Sequence, residues 1–204
     1  MHLFKMQDKE NILCFALIVL TVSICLKLFY DSDTFQLKCI VSDVDGNKYC
    51  IRERKNMKKA SDLLAKTTVN MTKLVEYLEK KFPDNENIIF LAKNYNPKKI
   101  KEILPTSEYT AYSENKGEKI AFCLGKDKKN VDDLIDENTL MFVALHELSH
   151  LATKTIGHDE TFWKNFKFIL KESEKIGIYK PIDYKSTATS YCGTTIKDNP
   201  YYDS

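Results

Sequence analysis

His146-Glu147-Leu148-Ser149-His150, followed after seven intervening residues by His158, is the stretch on which the reading of this 204-residue chain turns. Three of its four histidines fall within thirteen residues. In a helix over residues 138–155, His146 and His150 stand one turn apart on the same face, where both imidazoles can reach one metal ion. Glu147 then sits beside that metal. The lead-in Thr139-Leu140-Met141-Phe142-Val143-Ala144-Leu145 is apolar, as expected of a helix buried through the middle of a domain. Asp136 or Asn138 can cap its start. Two blander readings stand beside this one: a buried helix whose histidines merely satisfy hydrogen bonds, and a metal-binding domain without catalysis.

The chemistry follows from the donor set. Neutral imidazoles of His146, His150 and His158 supply three ligands to zinc and leave the fourth tetrahedral position to water, the open coordination of a catalytic site. Zinc lowers the pKa of that water towards about 7, and Glu147 can take its proton and pass it to a leaving amine. A structural zinc would more often recruit cysteines, and none lies near the motif. The third ligand is the open point. Gly157 can end one helix and swing His158 back over it, but Glu172 or Glu174 on the next helix could serve instead; a histidine otherwise unexplained at 158 favours His158. Asp159 is read as a helix cap or as a group orienting an imidazole.

Over residues 138–168 the chain resembles the WLM and SprT-like zinc metallopeptidases of the zincin superfamily, through HELSH, then Gly157-His158-Asp159, then Phe162-Trp163. Small predicted metallopeptidases of large DNA viruses look nearest, and Tyr191-Cys192-Gly193 is similar to that set as well. The resemblance implies an α+β, zincin-like domain with a small antiparallel sheet, and a histidine as third ligand at His158. It further implies that the strand before the metal helix, residues 120–124, is an edge to which an extended peptide substrate adds. It says nothing about the first fifty residues.

Around this centre, a helix over residues 160–176 places Phe162, Phe166, Ile169 and Leu170 on a core face, with Trp163 expected to pack against the metal helix. Two strands surround the turn Glu114-Asn115-Lys116-Gly117. An amphipathic helix over residues 60–82 ends before Pro83, and a second short helix is expected over residues 97–104. Transition-state stabilisation calls for a hydrogen-bond donor, for which Tyr179, Tyr184 and Tyr191 are candidates that the sequence does not rank.

Residues 11–30 are long and apolar enough to span a bilayer, with the single charge Lys27, and no small-residue cleavage site closes the run. An uncleaved anchor is preferred to a signal peptide. Lys5 and Lys9 before the span, and Asp31 and Asp33 after it, keep residues 1–10 as a cytoplasmic tail and put the following domain on the non-cytoplasmic side of a virion or host membrane. Four of the six cysteines lie beyond the span. A hairpin of residues 36–40 and 48–52 sets Cys39 nearly opposite Cys50, leaving Cys123 to Cys192; in a reducing compartment all four would be thiols. The connecting Asp43-Val44-Asp45-Gly46-Asn47 run lacks the other ligands of a calcium loop and reads as a turn.

With 31 basic against 29 acidic residues and only two arginines, no nucleic-acid footprint emerges. That bears on the resemblance, since some WLM and SprT-like relatives act on proteins crosslinked to DNA. The expected organisation is a tail (1–10), an anchor (11–30), a hairpin stalk (31–55), a zincin-like peptidase domain (56–180) and an extended carboxyl-terminal tail (181–204). The function this supports is zinc-dependent hydrolysis of peptide bonds in a protein or peptide substrate at a membrane. The alternative is a membrane or virion structural protein that keeps the zinc fold; retention of Glu147 favours the enzyme.

Overall fold

The computed structural model describes residues 2–203; for residues 2–10, 33 and 34 only the backbone is described, so the side chains of the expected tail lie outside the described residues. Helix α1 (His2–Tyr30) leads through a one-turn helix α2 (Asp33–Gln36) into a hairpin of β1 (Leu37–Val41) and β2 (Lys48–Arg52). The domain continues with α3 (Met57–Lys81), α4 (Glu86–Asn94), β3 (Ile100–Glu102), β4 (Ala111–Glu114), β5 (Lys119–Phe122), α5 (Glu137–Ala152) and α6 (Glu160–Lys175), and ends in a small hairpin, β6 (Thr189–Tyr191) and β7 (Thr194–Ile196).

The architecture is mixed α+β, organised around α5. Twelve of its sixteen residues are buried, so it has no solvent face in the ordinary sense, and it packs against α3, α4, α6, β4 and β5. Asp136 caps it by accepting from the amide of Thr139. α6 is capped in the same way by Asp159, which accepts from the amide of Phe162. Around α5, Leu64, Met71, Leu74 and Leu78 of α3 and Phe162, Phe166, Ile169 and Leu170 of α6 close the core, each almost wholly removed from water.

Several expectations are corrected. The sheet is not purely antiparallel: its order is β3-β5-β4, with β4 antiparallel to β5 but β3 parallel to it, Ile100 facing Ile120. β5 is therefore the central strand, both of its edges are used, and β3 and β4 are the edge strands. The helix expected over residues 97–104 is a 3-10 turn, Pro97–Lys99, that runs straight into β3. Pro97 and the cap Asn96 are good helix openers, but Ile100 and Ile103 are buried when the chain extends along β5. The helix that does form nearby, α4, is capped by Asn85 and buries Ile88 and Leu91.

Nor is the first hairpin a stalk. Tyr49 and Ile51 belong to the main core and Leu37 is 4% exposed, so the hairpin is a wall of the domain. Both disulfides preferred from the sequence are present, Cys39–Cys50 across the hairpin and Cys123–Cys192 joining the end of β5 to the carboxyl-terminal segment. The chain's only two arginines converge on one buried carboxylate: Arg54 is ion-paired to Glu102, both side chains 1% exposed, and Glu102 also accepts from the amide of Arg52 at 2.7 Å. Through their guanidinium groups Arg52 and Arg54 hold the carbonyls of Lys128 and Val131, which ties the segment before α5 to β2 and β3.

Candidate metal and catalytic site

His146 and His150 project from the last turns of α5, and the chain then turns through Gly157, whose φ of +91° is the left-handed shape expected there, to bring His158 back over them. His146 Nε2 lies 3.2 Å from His150 Nε2 and 3.1 Å from His158 Nε2. One imidazole nitrogen has one in-plane lone pair and cannot accept well from two neighbours at once. Three nitrogens bound tetrahedrally at ordinary zinc distances would be roughly 3.3 Å apart. The cluster thus has the spacing of a ligand set, and it could hold a metal ion.

The electrostatics agree. Burial, with the neighbouring imidazoles adding to it, pushes His146 down to about 3, and burial beside His158 pushes His150 down to about 4, so both are neutral near pH 7, as ligands must be. Glu147 turns towards β4. It is 4% exposed, its carboxyl pKa is pushed up to about 7 by burial against a smaller opposing effect of hydrogen bonding from Ser113, and its Oε2 has no hydrogen-bond partner. A buried acceptor without a partner costs roughly 1–3 kcal/mol. Such an oxygen is suited to receive a proton from a water held at the cluster.

Of the other candidate ligands, Glu172 accepts from Tyr77, Lys81 and Lys175, and Glu174 from Tyr201; neither joins the cluster. Asp159 is engaged as the α6 cap. Among the three tyrosines, Tyr179 accepts from Asn199, and Tyr184 packs on Phe142 near the opposite end of α5, with its unpartnered hydroxyl beside Thr139. Tyr191 alone is near Glu147, close enough for their charges to interact, and its hydroxyl donates to the carbonyl of Thr110 at 3.2 Å.

Three contributors take roles at the site that the sequence did not assign to them. Phe162, read there only as core, lies against all three imidazoles, with ring centres 4.9, 4.4 and 4.6 Å away from His146, His150 and His158. Trp163, expected to pack on the metal helix, instead lies beside His158 at 5.7 Å and is 45% exposed. Lys116, in the β4–β5 turn, donates to the carbonyls of His150, Thr153 and Thr155, satisfying the end of α5 where the histidines are carried. The sequence marks Phe162 only as a core position of α6, and nothing local marks Lys116.

A concavity of about 770 Å³ lies elsewhere, between the first turns of α3 and α5. No histidine lines it, and Lys58, Lys66 and Lys126 there are ion-paired with Asp43, Glu137 and Asp133.

A mixed α+β domain with an HExxH helix and a third histidine folded back onto it defines a class, and sequence comparison agrees with that class. The chain belongs to the WLM domain family, whose model matches residues 80–202. An uncharacterized protein of Acanthamoeba polyphaga mimivirus is 31% identical over 188 residues, covering 89% of this chain and 94% of that protein. An uncharacterized protein of Invertebrate iridescent virus 6 is 36% identical over 74 residues, 36% of this chain and 40% of that protein, and one of Invertebrate iridescent virus 3 is 40% identical over 57 residues, 28% and 35% of the two. No solved structure matches the chain.

Proposed function

We propose that this chain is a membrane-anchored zinc peptidase with a zincin-like domain, in which His146, His150 and His158 hold one zinc ion and Glu147 is the general base. The observation that carries the reading is the convergence of the three imidazole nitrogens, with Glu147, next in sequence to His146, buried and its Oε2 without a hydrogen-bond partner. When bound, zinc would lower the pKa of a water and stabilise negative charge developing on the substrate carbonyl. Glu147 Oε2 would take the proton from the attacking water and return it to the leaving amine, one carboxyl serving as base and then as acid. Burial of Glu147 on the β4 side of α5 keeps that proton from bulk water, and Ser113 orients the carboxyl. β4 offers an unpaired strand edge to an extended peptide.

The span reading is supported by residues 11–30 of α1, whose mean hydropathy is 2.7 and none of which is buried in the protein. Two disulfides support placement of the domain on the non-cytoplasmic side of a virion or host membrane. The test is metal analysis of the purified full chain in detergent, coupled to a proteome-derived peptide cleavage assay. One zinc per chain and cleavage lost on chelation and restored by zinc are expected; a metal-free wild-type chain that cleaves peptides would refute the assignment.

A further inference from the structure

The exit of α1 from its apolar run is built differently from a flexible tether. Only residues 31–36 separate Tyr30 from the first strand, and four of these form α2. Gln36 clamps the junction: its Nε2 donates to the carbonyl of Tyr30 at 2.6 Å, and its Oε1 accepts from Thr106 Oγ1 at 3.3 Å. The next residue, Leu37, is already in the core. Phe29, Tyr30 and Phe35 stack on one another around the junction while remaining about half exposed. Aromatic rings at the end of an apolar span are the usual occupants of the headgroup layer.

Thr106 connects this junction to the segment that enters β4. Three residues on, Tyr109 is 66% exposed with its ring against Tyr112, 5.8 Å between centres. The segment is held in shape: Ser107 donates its amide to Leu104, Tyr109 donates its amide to the Ser107 hydroxyl, and Lys128 reaches the carbonyls of Ser107 and Tyr109. A groove of about 680 Å³, lined by Leu104, Thr106, Tyr109, Tyr112, Ser113 and Glu114, leads from there along the free edge of β4 to the residue that faces Glu147.

We propose that residues 104–109 rest on the bilayer that holds α1, with Tyr109 in the lipid headgroup layer, so that the groove along β4 opens at the membrane surface. The inference rests on α1 crossing a membrane and is independent of whether the chain cleaves peptides. The partner is the zwitterionic or anionic headgroup region itself: a phenol carries an apolar ring and a hydroxyl that match that layer, and the Gln36 clamp leaves the loop little freedom to move away from it.

The test uses the full chain in phosphatidylcholine vesicles doped with lipid carrying a headgroup nitroxide, in a Trp163→Phe background, so that one introduced tryptophan reports. Phe35→Trp reports the end of the span and Tyr109→Trp the loop. Ile89→Trp, half exposed on α4, is the reference, because α4 meets the far end of β4, where Asn94 approaches Gly117. Quenching of Phe35→Trp and Tyr109→Trp at least about twofold stronger than that of Ile89→Trp is expected. Quenching at position 35 but none above the reference at position 109 overturns the docking alone. A chain that does not float with the vesicles, or shows no quenching at position 35, overturns the span reading and the docking with it.

Discussion

The phenyl ring of Phe162 lies 4.4 Å from the imidazole of His150, centre to centre, with their planes tilted by 32°. Because Phe162 also touches His146 and His158 and is wholly buried, one apolar side chain of α6 sets the positions of all three imidazoles carried by α5 and the turn after it. Phe162→Ala should therefore act twice. It should lower the melting temperature by the equivalent of about 3–5 kcal/mol and weaken zinc binding by about 10–100-fold, measured by competition with a chromogenic chelator. Unchanged zinc affinity in a destabilised variant would show that the ring is only core.

Removal of the third histidine separates the competing ligand sets. His158→Ala should purify with less than full zinc, while Glu172→Ala should keep its zinc and lose about 1–3 kcal/mol of stability, because Tyr77, Lys81 and Lys175 lose their shared acceptor. Zinc stoichiometry by mass spectrometry, with the reverse pattern, would move the ligand to α6.

Glu147→Gln keeps the shape of the side chain and does not touch the metal. Zinc content and melting temperature should stay near wild type while the peptidase rate falls at least about 100-fold. Undiminished cleavage by this variant would remove Glu147 from the mechanism, and a zinc-loaded wild type inert against a broad peptide library would favour a structural role.

The Cys123–Cys192 bridge holds Tyr191 under the site, where its hydroxyl caps the carbonyl of Thr110. Cys192→Ser should cost about 2–5 kcal/mol in thermal unfolding, and reductant should lower the melting temperature of the wild type but not add to that of the variant at this bridge once Cys39 and Cys50 are also replaced. Identical melting with and without reductant would mean that the bridge contributes nothing.

Glu102→Gln leaves the buried guanidinium of Arg54 without its counter-charge, and a loss of about 3–5 kcal/mol is expected in chemical denaturation. A change within error of zero would mean that water already reaches the pair.

The sequence alone determined what is local. The four-residue spacing of His146 and His150, the caps Asp136 and Asp159, the apolar faces of α3 and α6 and the hairpin that opposes Cys39 and Cys50 all follow from periods of 3.6 and 2 and from short-range hydrogen bonds, which neighbouring residues carry in themselves. Contacts between segments distant in the chain are not written in any such window. The parallel pairing of β3 with β5 made a strand of Ile100–Glu102 where capping signals favoured a helix, because burying Ile100 and Ile103 outweighs a weak local preference. It also made β5 the central strand and left β3 and β4 at the edges. Likewise only the tertiary structure decided that Ser113 faces Glu147, that Lys116 closes the end of α5, and that Phe162 lies under the three imidazoles, since each depends on how elements distant in the chain pack together.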